Sequence, residues 1–271
     1  MKSDQDLFAQ AIFESLIHAP SLIGELPESQ VFDRSHLILP DPLPPLNLSQ
    51  KLGHLYEQAL ALLFTHHSNY DLLETNLPLR HDRHHTIGEL DFLLRKKKHD
   101  TLIHLELATK FYLAVETDVG LALPGPDARD HYFKKLARLR EHQLTLTSRH
   151  RKHLPEAFHQ VDILPRHLVL GALFDHIDSE HLAQPDAIHP QARRGRWLTL
   201  EELPTHFEAA TLRLIPKPLW PVPPDLLLGI KLDPFSPPSL ADRCLMALTT
   251  CGTSLFVTPP GYPHHQGTGI R

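Results

Sequence analysis

Acidic residues stand where apolar ones are expected in the stretch Gly88 to Leu113, GELDFLLRKKKHDTLIHLELATKFYL. It reads as two strands joined by a basic turn. Leu90, Phe92 and Leu94 alternate with Glu89, Asp91 and Leu93, and Ile103, Leu105 and Leu107 alternate with His104, Glu106 and Ala108. Side chains two apart on a strand share a face, roughly 7 Å apart. Glu89 and Asp91 therefore pair on one strand, and Glu106, Ala108 and Lys110 share a face of the next. Carboxylates among leucines cost free energy unless a partner compensates their charge. A divalent cation is the partner that accepts several carboxylates together.

The neighbouring elements must bring these strands together. Ser49 to about His66 reads as the strongest helix. Leu52, Leu55, Tyr56, Ala59, Leu60, Leu62 and Leu63 cover more than half its surface, so it lies deep in the molecule. Leu55, Ala59 and Leu62 are expected against Leu90, Phe92, Leu105 and Leu107. Glu57, inside that apolar run, is either a rim residue or a functional acid. Strands follow over 70–80, 86–95 and 101–113. Between the first two, His81 and His85 have the four-residue spacing of a zinc-binding helix pair. They lack an apolar helical face or cysteine partners, so they read as a solvated loop. Pro126-Asp127 is expected to open a helix to about Leu144, capped by Asp127. Tyr132, Leu136 and Leu139 would face inward, and Lys134, Lys135, Arg138 and Arg140 outward. A buried strand spans 167–174. The core order is thus helix, three strands, helix, strand: a meander, then a crossover helix returning to the same sheet.

Around this core, residues 4–18 form a helix with Ser3 or Asp4 as cap and Pro20 as stop. Residues 38–47 (ILPDPLPPLN) are a proline-rich connector. Residues 176–195 are polar and loop-like, and RWLTLEEL (196–203) is a strand turning into a helix. The following LRLIPKPLWPVPP returns to extended structure. The proline-rich remainder carries short apolar pieces at 226–230 and 254–257. There is no internal repeat, P-loop or dinucleotide fingerprint.

With 271 residues, 41% hydrophobic and 22% charged, the chain can bury a full core as one large domain or two modest ones. No apolar run is long enough to span a bilayer, and the polar N-terminus does not read as a signal peptide. Cys244 and Cys251 form neither a metal-type pair nor a disulfide framework, so a cytoplasmic location without membrane association is expected. The net charge of −5 is unevenly spread. Residues 76–152 hold 15 Lys+Arg against 10 Asp+Glu, and the remainder 12 against 22. A basic island beside carboxylates suits a phosphate-bearing polymer. Arg95-Lys96-Lys97-Lys98 by itself reads as a solubilising turn.

Glu57 on a first helix, Asp91 in GELD, Glu106 in LEL and then Lys110 resemble the PD-(D/E)xK nuclease superfamily. More closely, the chain resembles a family of uncharacterised bacterial proteins, a domain of unknown function assigned to that superfamily. The stretches that carry this are LGHLYEQALALL, LLETNLPLR, GELDFLLR, HLELATKFYL, KKLARLREHQLTL, GRWLTLEEL and SLFVTPPGYP, in that order. The resemblance implies an α/β, restriction-endonuclease-like core, a central mixed sheet in αβββαβ order flanked by helices. That core would occupy 49–175, between a helical extension at 1–48 and a C-terminal extension at 176–271 packed on it. Asp91 and Glu106 correspond to metal-binding acids for Mg²⁺ or Mn²⁺, and Glu57 to a helical acid that some members add. The family's lysine, two residues after the acid, is Ala108 here. Lys110, one step further along the same face, would be the displaced catalytic lysine. Gln143 resembles a glutamine that some members carry after the sheet. Lys134, Lys135 and Arg138 would contact a DNA or RNA backbone. The function implied is a metal-dependent nuclease. The alternatives are a degenerate nuclease fold that binds nucleic acid or protein, which Ala108 favours, and a role away from nucleic acid, consistent with the acidic remainder.

Overall fold

The computed structural model describes residues 3–66, 69–98, 101–236 and 243–263. Ser3 caps α1 (Asp4–His18): its hydroxyl accepts the Asp6 N–H, and the Asp6 carboxylate accepts the Ser3 N–H in return. Next come β1 (Gln30–Val31), α2 (Leu52–Thr65), β2 (Tyr70–Arg80), β3 (Thr86–Lys96) and β4 (Thr101–Leu113). The tip of the basic turn, 99–100, lies outside the described residues. A small hairpin, β5 (Val115–Thr117) and β6 (Gly120–Ala122), precedes α3 (Tyr132–Glu141) and α4 (Leu146–Arg149). The chain continues through β7 (Ile163–His176), β8 (Arg194–Thr199), α5 (Leu203–His206), β9 (Arg213–Ile215), α6 (Pro224–Leu227), β10 (Leu245–Leu248) and β11 (Ser254–Thr258).

All strands except β5 and β6 join one mixed sheet, in the order β2-β3-β4-β7-β8-β11-β10-β9, with β1 beside β7. β2, β3 and β4 form the antiparallel meander. The crossover through α3 then returns the chain parallel to β4 as β7, along twelve residue pairs from Leu102↔Ile163 to Leu113↔Phe174. β8 and β11 continue parallel, and β10 and β9 close the far edge antiparallel. Residues after 175 thus supply four strands of the same sheet.

The sheet separates two main cores. On one side Leu55, Tyr56, Ala59, Leu60, Leu63 and Phe64 of α2 pack with Phe92, Leu105, Leu107 and Leu168. Phe64 sits edge-on to Phe32, Tyr70 and Phe92, which pins the helix to the meander. On the other side Tyr132, Leu136 and Leu139 of α3 cover Tyr112, Val169 and Leu173. β7 meets β4 closely at Gly171, whose φ of +150° and contact with the Lys110 carbonyl leave no room for a side chain: a Cβ would lie 1.6 Å from that oxygen.

Three local expectations need correction. Residues 126–131 do not start a helix. Backbone bonds from Gly125 N–H to Asp130 and from Tyr132 N–H to Leu123 close them into a turn, and the Asp127 carboxylate accepts the Arg129 N–H there. The helix ends at Glu141, where Gln143–Thr145 tighten into a 3₁₀ turn. Leu62 is only half-buried, because the helix points Leu60 and Leu63 inward instead. Leu90 packs with Leu79, Leu93 and Leu146, away from α2. The β3–β4 ladder ends at Phe92↔Leu105, and Leu90 lies beyond it, opposite the stretch of β2 where Asn76, between the pairs Thr75↔Phe92 and Leu77↔Leu90, has φ of +50°.

Candidate functional site

β4 is covered on both faces, so its alternate side chains enter different cores. Ile103, Leu105 and Leu107 face α2, while Ala108 and Tyr112 pack beneath α3. His104, Glu106 and Lys110 share that second face by alternation. Glu106 is 2% exposed. Its Oε1 lies 2.7 Å from Nε2 of His104, and its Oε2 accepts the Gln143 side-chain N–H. Gln143 also accepts from Lys135 Nζ at 2.7 Å through its own carbonyl oxygen. A chain of contacts thus runs from the α3 ammonium through the amide to the strand carboxylate.

Asp91 sits where β3 parts from β4. The two strands pair from Phe92↔Leu105 to the basic turn. Just beyond, the Asp91 carboxylate accepts the Leu107 N–H at 2.8 Å, closing the gap with a side chain. Burial, then the negative charge of Glu106, push the Asp91 carboxyl up to about 8. Glu57 adds to this rise, and the Leu107 N–H and Lys135 oppose it. Lys135 is shifted in turn. Burial first, then the nearby Lys110 ammonium, lower it from its ordinary value against the pull of Glu106 and Asp91. The centre is therefore a cluster of acids with too little positive charge nearby. Its oxygen donors suit a hard divalent cation such as Mg²⁺ or Mn²⁺.

The remaining expected residues are placed as follows. Glu57 keeps a 21% exposed side chain on the α2 rim, with its Oε2 3.1 Å from His54 Nδ1. It influences Asp91 electrostatically, yet Glu57, Asp91 and Glu106 do not gather their oxygens within 4.8 Å of one another. Lys110 does not turn toward Glu106; its ammonium pairs with Asp130 in the turn before α3. Lys134 and Arg138 are exposed on α3, while Lys135 on the same helix turns inward. Glu89 is exposed, whereas Asp91 is half-buried. The His81–His85 loop is solvated, its turn held by Asp82 accepting the His84 and His85 N–H groups.

A family model described as a domain of unknown function, DUF1853, matches residues 26–228. The chain belongs to that family. The DUF1853 stretch takes in Glu57, Asp91, Glu106, Lys135 and Gln143, and leaves out α1, β10 and β11. No curated protein and no solved structure matches the chain.

Two features escaped the sequence reading. Lys135 reads as one of four cations on a charged helix. Only the early helix end and the 3₁₀ turn, which bring Gln143 back to Glu106, single it out. The second is a group at the end of β7. Among the described residues, His176, Asp178 and Glu202 are the one set of three histidine or acid side chains with ligand atoms all within 4.8 Å of one another. Read as the start of a polar loop, His176-Ile177-Asp178 carried a usable signal: two ligand-type residues directly after a buried strand.

Proposed function

We propose that this DUF1853 chain hydrolyses phosphodiester bonds of DNA or RNA with Mg²⁺ or Mn²⁺, on a restriction-endonuclease-like core over 49–175. In this reading the core's sheet is extended by strands from 176–271, and the protein works in the cytoplasm. The observation that carries the reading is the Asp91–Glu106 pair, in which burial and then the negative charge of Glu106 push Asp91 up, with Lys135 opposing. Held by Asp91 and Glu106, the ion would supply positive charge against the scissile phosphate and acidify an attacking water. His104 and Gln143 fix both oxygens of Glu106, so the carboxylate is oriented before any ligand arrives. Glu57, on the opposite wall, contributes negative charge from the rim.

Lys135 takes the part that the sequence pattern gives to Lys110. Lys110 is held by Asp130, whereas Lys135 lies beside both carboxylates and is steadied by Gln143. An ammonium so placed stabilises negative charge developing on the phosphate. Lys134 and Arg138, exposed on the same helix, contact backbone phosphates and position the polymer without reading its sequence. In a Mn²⁺-supported cleavage assay, Lys135→Ala is expected to lower turnover by about 100-fold with little change in melting temperature, and Lys110→Ala by much less. Full cleavage by Lys135→Ala would remove it from the mechanism, and its loss in Lys110→Ala would restore the sequence-based assignment.

A catalytically silent reading has its own support in Ala108 and in the three acids that stay apart in this conformation. In that case the protein binds DNA or RNA in a salt-dependent manner and cleaves neither.

A further inference from the structure

A second group of ligating side chains lies far from the carboxylate pair. Glu106 is opposite His167 on β7, and His176 follows nine residues later, roughly 30 Å along an extended strand. His176 closes β7 and lies opposite Trp197 of β8, with their rings edge to face at 4.7 Å. That contact fixes the imidazole. β8 then turns into α5, and Glu202 is fastened at this turn. Its Oε2 accepts the Thr199 N–H and hydroxyl, both at 2.7 Å, and its Oε1 faces His176 Nε2 at 3.3 Å. Asp178 places Oδ1 3.5 Å from Nε2 of His206, the last residue of α5. The ends of two parallel strands thus contribute one imidazole and two carboxylates whose ligand atoms all lie within 4.8 Å of one another, and His206 stands at the edge of the group beside Asp178. The carboxyl ends of parallel strands are where open α/β sheets place their ligands.

We propose that His176, Asp178 and Glu202 form a binding site for a divalent transition metal of the Zn²⁺ class, with His206 beside Asp178 at its edge. A tetrahedral Zn²⁺ with bonds of about 2.0–2.1 Å separates neighbouring ligand atoms by about 3.3 Å. The Glu202 Oε1–His176 Nε2 separation of 3.3 Å already matches that edge length, and Asp178 Oδ2 lies 3.9 Å from His176 Nδ1. The mixed nitrogen and oxygen donors favour Zn²⁺ or a similar ion over Mg²⁺ or Ca²⁺, which take oxygen. Thr199 orients Glu202 from behind, as outer partners orient metal-binding carboxylates. A cavity of about 370 Å³, lined by His176, Asp178, Ser179, His181 and Trp197, opens beside the cluster and gives an ion its entry path.

The test is Zn²⁺ titration of the full chain by calorimetry, for the wild type, His176→Gln, Asp178→Asn and Asp91→Asn. Because Asp178 is 63% exposed, its substitution leaves packing intact, and thermal melting checks each fold. With 22 histidines in the chain, the ion is also located by anomalous diffraction from Zn²⁺-soaked crystals. The wild type and Asp91→Asn are expected to bind one tight equivalent that His176→Gln and Asp178→Asn weaken at least about tenfold. The anomalous peak should lie among His176, Asp178 and Glu202. Equal tight binding in wild type and Asp178→Asn, or a peak elsewhere with none here, would overturn the site. Because Asp91→Asn is included, this outcome is separate from the fate of the nuclease proposal.

Discussion

Asp91 carries the clearest consequence at the scale of a single residue. Its carboxyl is pushed up to about 8 in the folded chain, against an ordinary unfolded value of about 3.9. Between those values the native state binds more protons than the unfolded one, so this group's contribution to stability is lost as pH rises toward about 8. Without divalent metal, the melting temperature should therefore fall less with rising pH in Asp91→Asn than in the wild type. Asparagine keeps the acceptor for the Leu107 N–H and removes the charge. Parallel curves for the two proteins between about pH 5 and 8.5 would show that Asp91 is not strained by its neighbours. Asp91 and Glu106 were legible in the sequence because acids in apolar strands are rare and their alternation is simple. That Lys110 pairs with Asp130 while Lys135 bonds Gln143 was not, since Asp130 and Gln143 reach these partners only through the turns on either side of α3.

At the scale of elements, α2 is the buttress behind the site-bearing strands. Leu60 and Leu63 are fully buried there, and Leu62 is half-buried. Leu63→Ala should cost about 2–5 kcal/mol in chemical denaturation, and Leu62→Ala distinctly less. Equal costs would mean that the helix presents a different face to the sheet. The long strands and α2 could be read from period and length: the 101–113 strand is bounded as expected, and the 167–174 run lies within β7. The start of α3 could not, because proline followed by aspartate is also a turn signal, and backbone pairing of 123–125 with 130–132 decides between the two. Nor could the change of core between Leu90 and Phe92, which lies where β3 leaves its ladder with β4.

Across the whole molecule, the sheet unites segments that the sequence presents as separate. β8 to β11 lie in a proline-rich, weakly periodic tail; β9 falls within the extended run that begins at Leu212, and the short β10 had no usable pattern. Tertiary pairing, such as β8 with β11 from Leu255↔Arg196 to Thr258↔Thr199, makes them strands. Among the described residues no helix is long and apolar enough to cross a membrane. The basic segment 76–152 carries the carboxylate pair, α3 and the loops around them, so cationic surface and candidate metal ligands occupy one region of an otherwise acidic chain. The proposed function places nucleic-acid cleavage in this region, through Asp91 and Glu106. The most direct measurement incubates labelled single- and double-stranded DNA and RNA with the wild type and Asp91→Asn, each with Mn²⁺, Mg²⁺ or EDTA. Cleavage of at least one substrate by the wild type with metal, none with EDTA, and none by Asp91→Asn is the expected result. Cleavage that persists in EDTA or in Asp91→Asn, or its absence from the wild type on every substrate, would contradict it.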